Sequence, residues 1–314
     1  MGRFRFVVKR LLLTIPLLLG IVLLVFLVLK MTPGDPARQI VGLRASQAQL
    51  DQVRQQLGLD DPILVQYIHY VGRLAHGDLG YSFKSLQPVT TAIAERLPVT
   101  LWLLAFGAAL AMLISVPCAI VSAIRPNGVV DHAIRGLGLV GLTMPSFWVG
   151  IVLILLIALP TGLFPVGGFG DTPQEHLRST VLPAITLAIS VAPLQIRSLR
   201  ASLIGVRSSD YVATARAMGL SESRLMRRFV LRNAAPPTIS ILALNMGFLL
   251  FGAVVIETTF ALPGIGQGIV LAARGRDLPL IQGYTLLFAV LVVAVYLIAD
   301  VVTAMLDPRV VIQA

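Results

Sequence analysis

The sequence predicts an all-α polytopic membrane protein with six membrane-crossing helices, and three observations predict it. Of 314 residues, 56% are hydrophobic and 13% charged, with a mean hydropathy of +0.87, far outside the usage of water-soluble domains. The apolar residues fall in blocks close to the ~20 residues that a helix needs to cross a hydrocarbon core. The 25 basic residues, only three of them lysines (Lys9, Lys30, Lys84), gather in a few segments between the blocks, as happens when positive charge retained in the cytoplasm sets topology. Because the net charge of +10 is distributed in this way, nucleic acid is not an expected partner.

The first block, residues 11–29, follows Arg3, Arg5, Lys9 and Arg10. It is too long for the apolar core of a secretory signal and runs into Lys30-Met31-Thr32-Pro33 without a small-residue cleavage pattern, so a retained helix is expected. The next stretch, 30–99, is too patterned to be a floppy linker. Ser46 can cap a helix over 47–57 that stops at Gly58, and after Pro62 a second runs over 63–74 until Gly77-Asp78-Leu79-Gly80 breaks it. Two short helices capping the outer face are expected.

Further blocks at 100–124, 136–159, 180–196, 238–256 and 280–299 complete the six. Pro145, Pro183 and Pro193 either kink their helices or are tolerated by packing. The tail before residue 11 holds four basic residues and no acid, and 197–232 holds eight basic residues against Asp210 and Glu222. Both segments are therefore expected in the cytoplasm, with both termini inside and 30–99, 160–179 and 257–279 outside. The expected organisation is a basic tail (1–10), a first span (11–29), an external insertion (30–99), a core membrane domain (100–306) that includes a cytoplasmic loop (200–237), and a short tail (307–314).

Enzyme chemistry is not expected on this chain. A phosphate-cradling loop needs a lysine that follows glycine and precedes Ser or Thr, and none of the three lysines qualifies. Gly136-Leu137-Gly138-Leu139-Val140-Gly141 has the dinucleotide-binding spacing, but it enters an apolar span with no preceding strand, so close helix packing is the better reading. His69, His76, His132 and His176 lie scattered without carboxylate or Cys at ligand spacing, and no metal site is expected. The single cysteine, Cys118, excludes an intrachain disulfide and reads as a small buried hydrophobe. Thr143, Ser146, Ser190, Gln195 and Asn245 are neutral polar groups within the spans; they are candidates for a translocation path or, taken singly, for helix-to-helix hydrogen bonds.

The segment 208–237 is polar yet helically patterned. Asp210 can cap a helix through Ala217, on which Ala213 and Ala217 share a face open to close approach, and Gly219 supplies a left-handed stop. Ser221 can cap a second helix, with Leu225, Met226, Phe229 and Val230 on one arc and Arg224, Arg227, Arg228 and Arg232 on the other; Leu231 is the exception on the basic side. The apolar arc seats on a soluble partner or on the chain's own bundle, or the whole is an interfacial basic helix.

The run Asp210-Tyr211-Val212-Ala213-Thr214-Ala215-Arg216-Ala217-Met218-Gly219-Leu220, followed by Leu231-Arg232-Asn233 and Pro237, resembles the cytoplasmic Glu-Ala-Ala loop of binding-protein-dependent ABC importer permeases in the dipeptide, oligopeptide and nickel branch. The resemblance extends in order through Pro33-Gly34-Asp35-Pro36, Leu57-Gly58-Leu59-Asp60, Gly77-Asp78-Leu79-Gly80, Pro145-Ser146-Phe147-Trp148, Glu257-Thr258-Thr259-Phe260, Pro263-Gly264-Ile265-Gly266 and Asp307-Pro308-Arg309, covering essentially the whole chain. The chain departs from the general motif at Ala213, where glutamate is usual, and from the branch at Met218 and Phe229, where lysine and histidine are frequent.

The resemblance implies a fold of the type I ABC importer kind and a permease forming half of a translocation path for short peptides, with nickel chelates or another small solute as alternatives. A gradient-driven transporter is a further alternative, although it would normally show an embedded ionisable relay. It also implies a second homologous permease subunit, two ABC ATPase subunits that use ATP and Mg, an extracytoplasmic substrate-binding protein, and a bacterial inner membrane whose lipid surrounds the chain. No cofactor is implied on this chain. Coupling to the ATPases would fall to Asp210, Ala213, Ala215, Gly219, Leu220, Ser221, Glu222, Arg224 and Arg228.

Overall fold

The computed structural model describes residues 2–31, 36–41, 46–56, 58–82 and 84–306. The motifs at 33–35 and 307–309, the tail 307–314 and Leu57 lie outside them. The described chain is almost entirely helical. A long helix α1 (Gly2–Met31) is followed by α2 (Pro36–Val41), α3 (Gln47–Gln56) and α4 (Ile63–Ala75), then by a two-stranded antiparallel hairpin of β1 (Tyr81–Ser82) and β2 (Gln87–Pro88). Then come α5 (Val89–Ile124), α6 (Val129–Thr143) and α7 (Ser146–Leu153); α7 continues through a π-helical turn at Ile154–Ala158 into α8 (Leu159–Thr161). The remainder is α9 (Pro173–Arg207), α10 (Asp210–Ala217), α11 (Glu222–Leu225), a π-helical turn at Met226–Val230, α12 (Leu231–Thr259), α13 (Ile265–Gly275) and α14 (Leu278–Leu306).

Val89–Ile124, Pro173–Arg207 and Leu278–Ile298 are each long and apolar enough to cross a membrane, and the pair α6 with α7–α8 makes a fourth candidate. Shorter apolar stretches, Leu12–Val28 and Gly247–Thr259, lie in α1 and α12. Each of the six expected blocks thus falls on described helix, but the third is not one straight span. Its two arms meet at 102°. Pro145 is the cause: it has no N–H to continue the ladder and it pushes the preceding residue out of the helical region, so Met144 sits at φ −78°, ψ 128°. Pro183 and Pro193, by contrast, lie inside an unbroken α9.

The two long helices α5 and α9 pack along each other, with α12, α13 and α14 closing the main core around Leu103, Leu187, Leu250, Ile256, Ile265 and Tyr284. Small residues set the approach. A Cβ on Gly107 of α5 would stand 2.9 Å from Leu187 Cδ1. Gly138 and Gly141 of α6 likewise face Pro193 and Ile189 of α9, whereas Gly136 meets nothing within 4 Å. A second cluster at the far end joins Ala119 and Ala123 of α5, Ile196, Leu199 and Leu203 of α9, Val212 of α10, and Val230. Half-buried Cys118 packs against this cluster.

The stretch before residue 100 departs from expectation in two ways. The long helix starts eleven residues before the block at 100, because Val89, Ala92 and Ile93 are buried in the main core. And α4, rather than capping an end, lies along α1, where Val22 and Phe26 pack with Tyr70.

Candidate docking surface and buried polar clamps

The segment between α9 and α12 folds back on the bundle and presents its other side outward. Val212 is fully buried and Ala215 is 6% exposed, while Ala213 and Ala217, expected to make the close approach, face away. The reason is register: positions 212 and 215 share one face of a helix, and valine carries the larger apolar area. Ser209, at φ −73° and ψ 150°, occupies the N-cap that Asp210 was expected to fill; no side-chain bond caps it, and Asp210 takes the first helical position. Thr214 Oγ1 donates back to Asp210 O at 2.9 Å.

The stop at Gly219 has a defined geometry. Gly219 N–H donates to Arg216 O at 3.0 Å and Leu220 N–H to Ala215 O at 3.4 Å, the paired bonds of a Schellman cap. Gly219 has φ +82°, and a Cβ there would meet nothing within 4 Å. Glycine is used here for backbone conformation, not for space. Ser221 is the N-cap of α11, and Leu225 N–H donates to its carbonyl at 2.9 Å.

Leu225 and Val230 are buried and Met226 and Phe229 partly so, all turned into the bundle, while Arg224, Arg227, Arg228 and Arg232 are exposed. The apolar arc therefore seats on the chain's own helices. Leu231, although placed on the basic side by periodicity, packs against the second cluster because the π-helical turn at Met226–Val230 shifts the phase of the helix. The outward surface is a band of Asp210, Ala213, Thr214, Ala217 and Met218, with arginines beyond the turn. The knuckle is thus apolar on the side that packs on the bundle and mostly polar on the side that faces outward.

Ionic and polar clamps tie this knuckle to the membrane helices. Glu222 Oε1 accepts from Arg216 Nε at 2.6 Å, and Glu222 Oε2 lies 3.5 Å from Arg207 Nη2. The Arg216 guanidinium holds the Glu222 carboxyl below the usual carboxylate range, and Glu222 raises Arg216 in turn. Arg207 also donates to the carbonyls of Ala123 and Ile124 at the end of α5. Two turns deeper on α9, Arg200 Nε and Nη2 grip Asp131 of α6 at 2.7 and 2.6 Å, and Asn127 N–H donates to the same carboxylate at 2.8 Å. Sequence reasoning missed Asp131, Arg200 and Arg207, since no local pattern pairs residues 69 or 84 positions apart.

It also gave Glu257 no partner, naming it only at the start of the external segment 257–279 and in the Glu257-Thr258-Thr259-Phe260 motif. Glu257 is fully buried, accepting from Thr100 Oγ1 at 2.7 Å and from Gln267 N–H at 3.1 Å. Thr100 Oγ1 in turn accepts from Ile265 N–H at 2.8 Å. A carboxylate thus closes the N-terminus of α13, where orphan N–H groups and the helix dipole favour negative charge. A Cβ on Gly264 would run into the Glu257 carboxylate, and one on Gly266 would stand 2.5 Å from Val254 Cα and 3.0 Å from Glu257 Oε2. The Pro263-Gly264-Ile265-Gly266 run was the available signal.

The five neutral polar residues of the spans have different settings. Gln195, 3% exposed, accepts from Ser115 Oγ at 3.0 Å. Ser190 and Thr143 bond back to Thr186 O and Val140 O of their own helices. Ser146 opens α7 half-buried. Asn245 is 2% exposed, and its Nδ2 finds no hydrogen-bond partner among the described residues.

Comparison with known proteins gives this arrangement its family. Residues 115–312 match the family described as binding-protein-dependent transport system inner membrane component, and residues 3–104 match the N-terminal family of the same membrane component. The chain belongs to that family. The permease is 38% identical over 311 residues to the oligopeptide transport system permease protein AppB of Bacillus subtilis, covering 97% of this chain and 98% of that one. It is also 38% identical over 305 residues to the glutathione transport system permease protein GsiC of Escherichia coli K12, with 97% and 98% covered. Among solved structures, the MetNI methionine ABC transporter in an inward-facing conformation matches with a TM-score of 0.57 at 15% identity, over 69% of this chain and 97% of that one. That likeness shows that the permease shares its fold with a chain of that structure.

Proposed function

We propose that the permease forms half of the translocation path of an ATP-driven importer for short peptides, delivered by an extracytoplasmic binding protein. Two ATPase subunits, which hold the ATP and Mg, would grip the Asp210–Ser221 knuckle of each of two homologous permeases. One observation carries the reading: the knuckle's apolar side is fully used on its own bundle while its outward side stays open, and Glu222 and Arg207 join it to α5 and α9. A push on the loop would be passed to the core helices through charge-assisted bonds rather than absorbed by a slack linker.

In this reading α1 and α12 supply the two spans that complete six, both termini and the knuckle lie in the cytoplasm, and 30–99 lies on the outer side. The balanced charge of 30–99 against the arginine-rich loop supports that orientation. Relatives named for oligopeptide and glutathione transport support peptides as cargo. Thr143, Ser146, Ser190, Gln195 and Asn245 remain the path candidates; the unpartnered Nδ2 of Asn245 makes it the first to test. Reconstitution decides: peptide uptake into vesicles should require the binding protein, ATP and the ATPase subunits. Uptake by the permease without any ATPase would overturn the assignment.

A further inference from the structure

The helix α4 has three faces, and only one is used inside the protein. Tyr67, Tyr70, Val71 and Leu74 turn towards Val22 and Phe26 of α1 and Leu286 of α14. The Phe26 ring lies 5.7 Å from Tyr67 and 5.9 Å from Tyr70 between centroids, and Tyr67 Oη donates to Leu19 O at 3.0 Å. These contacts fix a depth. At the helical rise, Leu19 is ~18 Å along α1 from Met31, and Leu286 is ~12 Å along α14 from Leu278. Two helices thus agree that α4 lies level with their apolar bodies, not above their ends.

On the second face Leu64 is 69% and Ile68 58% exposed. A bare apolar face at that depth is what acyl chains cover. The third face is a narrow polar stripe of Gln66, His69, Arg73 and His76. The stripe and Ile68 line a cleft of about 1340 Å³ that also takes in Lys30 of α1, Lys84 after the first strand, and Asp277. Two of the three cleft acids are engaged: Asp277 accepts from the Ser82 hydroxyl and from Leu280 N–H, and Asp78 accepts from Gly80 N–H. Among the described residues Lys30, Arg73 and Lys84 form no ion pair. Lys30, whose ammonium stands 5.9 Å from the Phe26 ring centroid, Arg73 and Lys84 therefore face, among the described residues, one uncommitted carboxylate, Asp61, beside an apolar ledge.

We propose that α4 dips into the membrane and that this cleft seats the phosphate headgroup of an anionic phospholipid, in the leaflet at the Lys30 end of α1, with its acyl chains over Ile68 and Leu64. Phosphate suits a pocket with both a guanidinium and ammonium groups, and cationic pockets at helix ends are where lipid headgroups bind.

The chain has one cysteine, which makes the depth test direct. In a Cys118→Ser background, a nitroxide on Leu64→Cys or Ile68→Cys, in nanodiscs of phosphatidylglycerol and phosphatidylcholine, should collide more with oxygen than with a water-soluble nickel chelate. Glu222→Cys, on the exposed loop, should show the reverse order. The water-like order at 64 and 68 would overturn the proposal. Native mass spectrometry of the full chain tests the cleft: Lys30→Gln with Arg73→Gln should weaken phosphatidylglycerol retention by about fivefold per charge removed, while Arg227→Gln with Arg228→Gln leaves it unchanged. Equal retention in both pairs, or displacement of the lipid by inorganic phosphate, would refute a lipid seat. Neither readout involves transport, so this proposal and the transport reading fail separately.

Discussion

Replacing Asp131 with alanine should strand a cation at the α6–α9 contact. The carboxylate is 1% exposed, it takes two bonds from Arg200 and one from the Asn127 backbone, and Arg135 Nε stands 3.6 Å away. Arg200 keeps 17% side-chain exposure, so without Asp131 its guanidinium is neither paired nor well hydrated. Removing one partner of a buried pair costs about 3–5 kcal/mol; the residual access of Arg200 to water argues for the lower end, about 3 kcal/mol. At ~2–4 °C per kcal/mol for larger domains, the melting temperature in detergent should fall by roughly 6–12 °C. Arg200→Ala should cost less, because Arg135 Nε at 3.6 Å and the Asn127 N–H still face the carboxylate. The double variant removes both charges and should cost less than the sum of the two, by at least ~1.5 kcal/mol. A loss below ~1 kcal/mol for Asp131→Ala, or strict additivity in the cycle, would refute the argument that the pair is a buried clamp.

Gly219→Pro cannot adopt φ +82° and loses the N–H that closes the turn, so the assembled complex should insert normally and lose uptake; unchanged uptake would remove the knuckle from the mechanism. Gly219→Ala meets open space and carries only the left-handed penalty of about 1–2 kcal/mol, so vesicle assays should show most uptake retained. Since Arg216 lowers the Glu222 carboxyl from its ordinary value of 4.5, the Glu222 bridge helps hold the loop above that pH and is lost as pH falls through the lowered value. Amide protection over 216–222, taken relative to the intrinsic exchange rate at each pH, should therefore fall on acidification to the level of Glu222→Gln, which should show no such step. Gly264→Ala drives a methyl into the Glu257 carboxylate and should abolish the melting transition of the intact core. By contrast Gly205→Ala, in open helix with nothing within 4 Å, should be neutral or stabilise by up to ~1 kcal/mol.

What the sequence made legible follows the range of the interaction. The apolar blocks are set by the solvent a helix must face, a property of composition over some twenty residues, and all of them fall on described helix. Gly219 and Pro145 were legible because each acts on its own φ or its neighbour's. For proline the two outcomes, kink or tolerance, carry one sequence signature: Pro183 and Pro193 lie inside an unbroken α9, while the arms on either side of Pro145 meet at 102°. The inward face of α10 was misjudged because an eight-residue helix with three alanines has little periodicity to read; a single valine, Val212, decided it. The clamps were not legible at all. Thr100 and Glu257 are 157 positions apart, and a lone carboxylate at a span end has the same sequence signature whether it is hydrated or buried. The physical difference lies in the partner that desolvation demands, and only the fold supplies it. Only in the fold does Gly264 leave room for the Glu257 carboxylate, while Gly266 lets α13 approach the backbone of Val254.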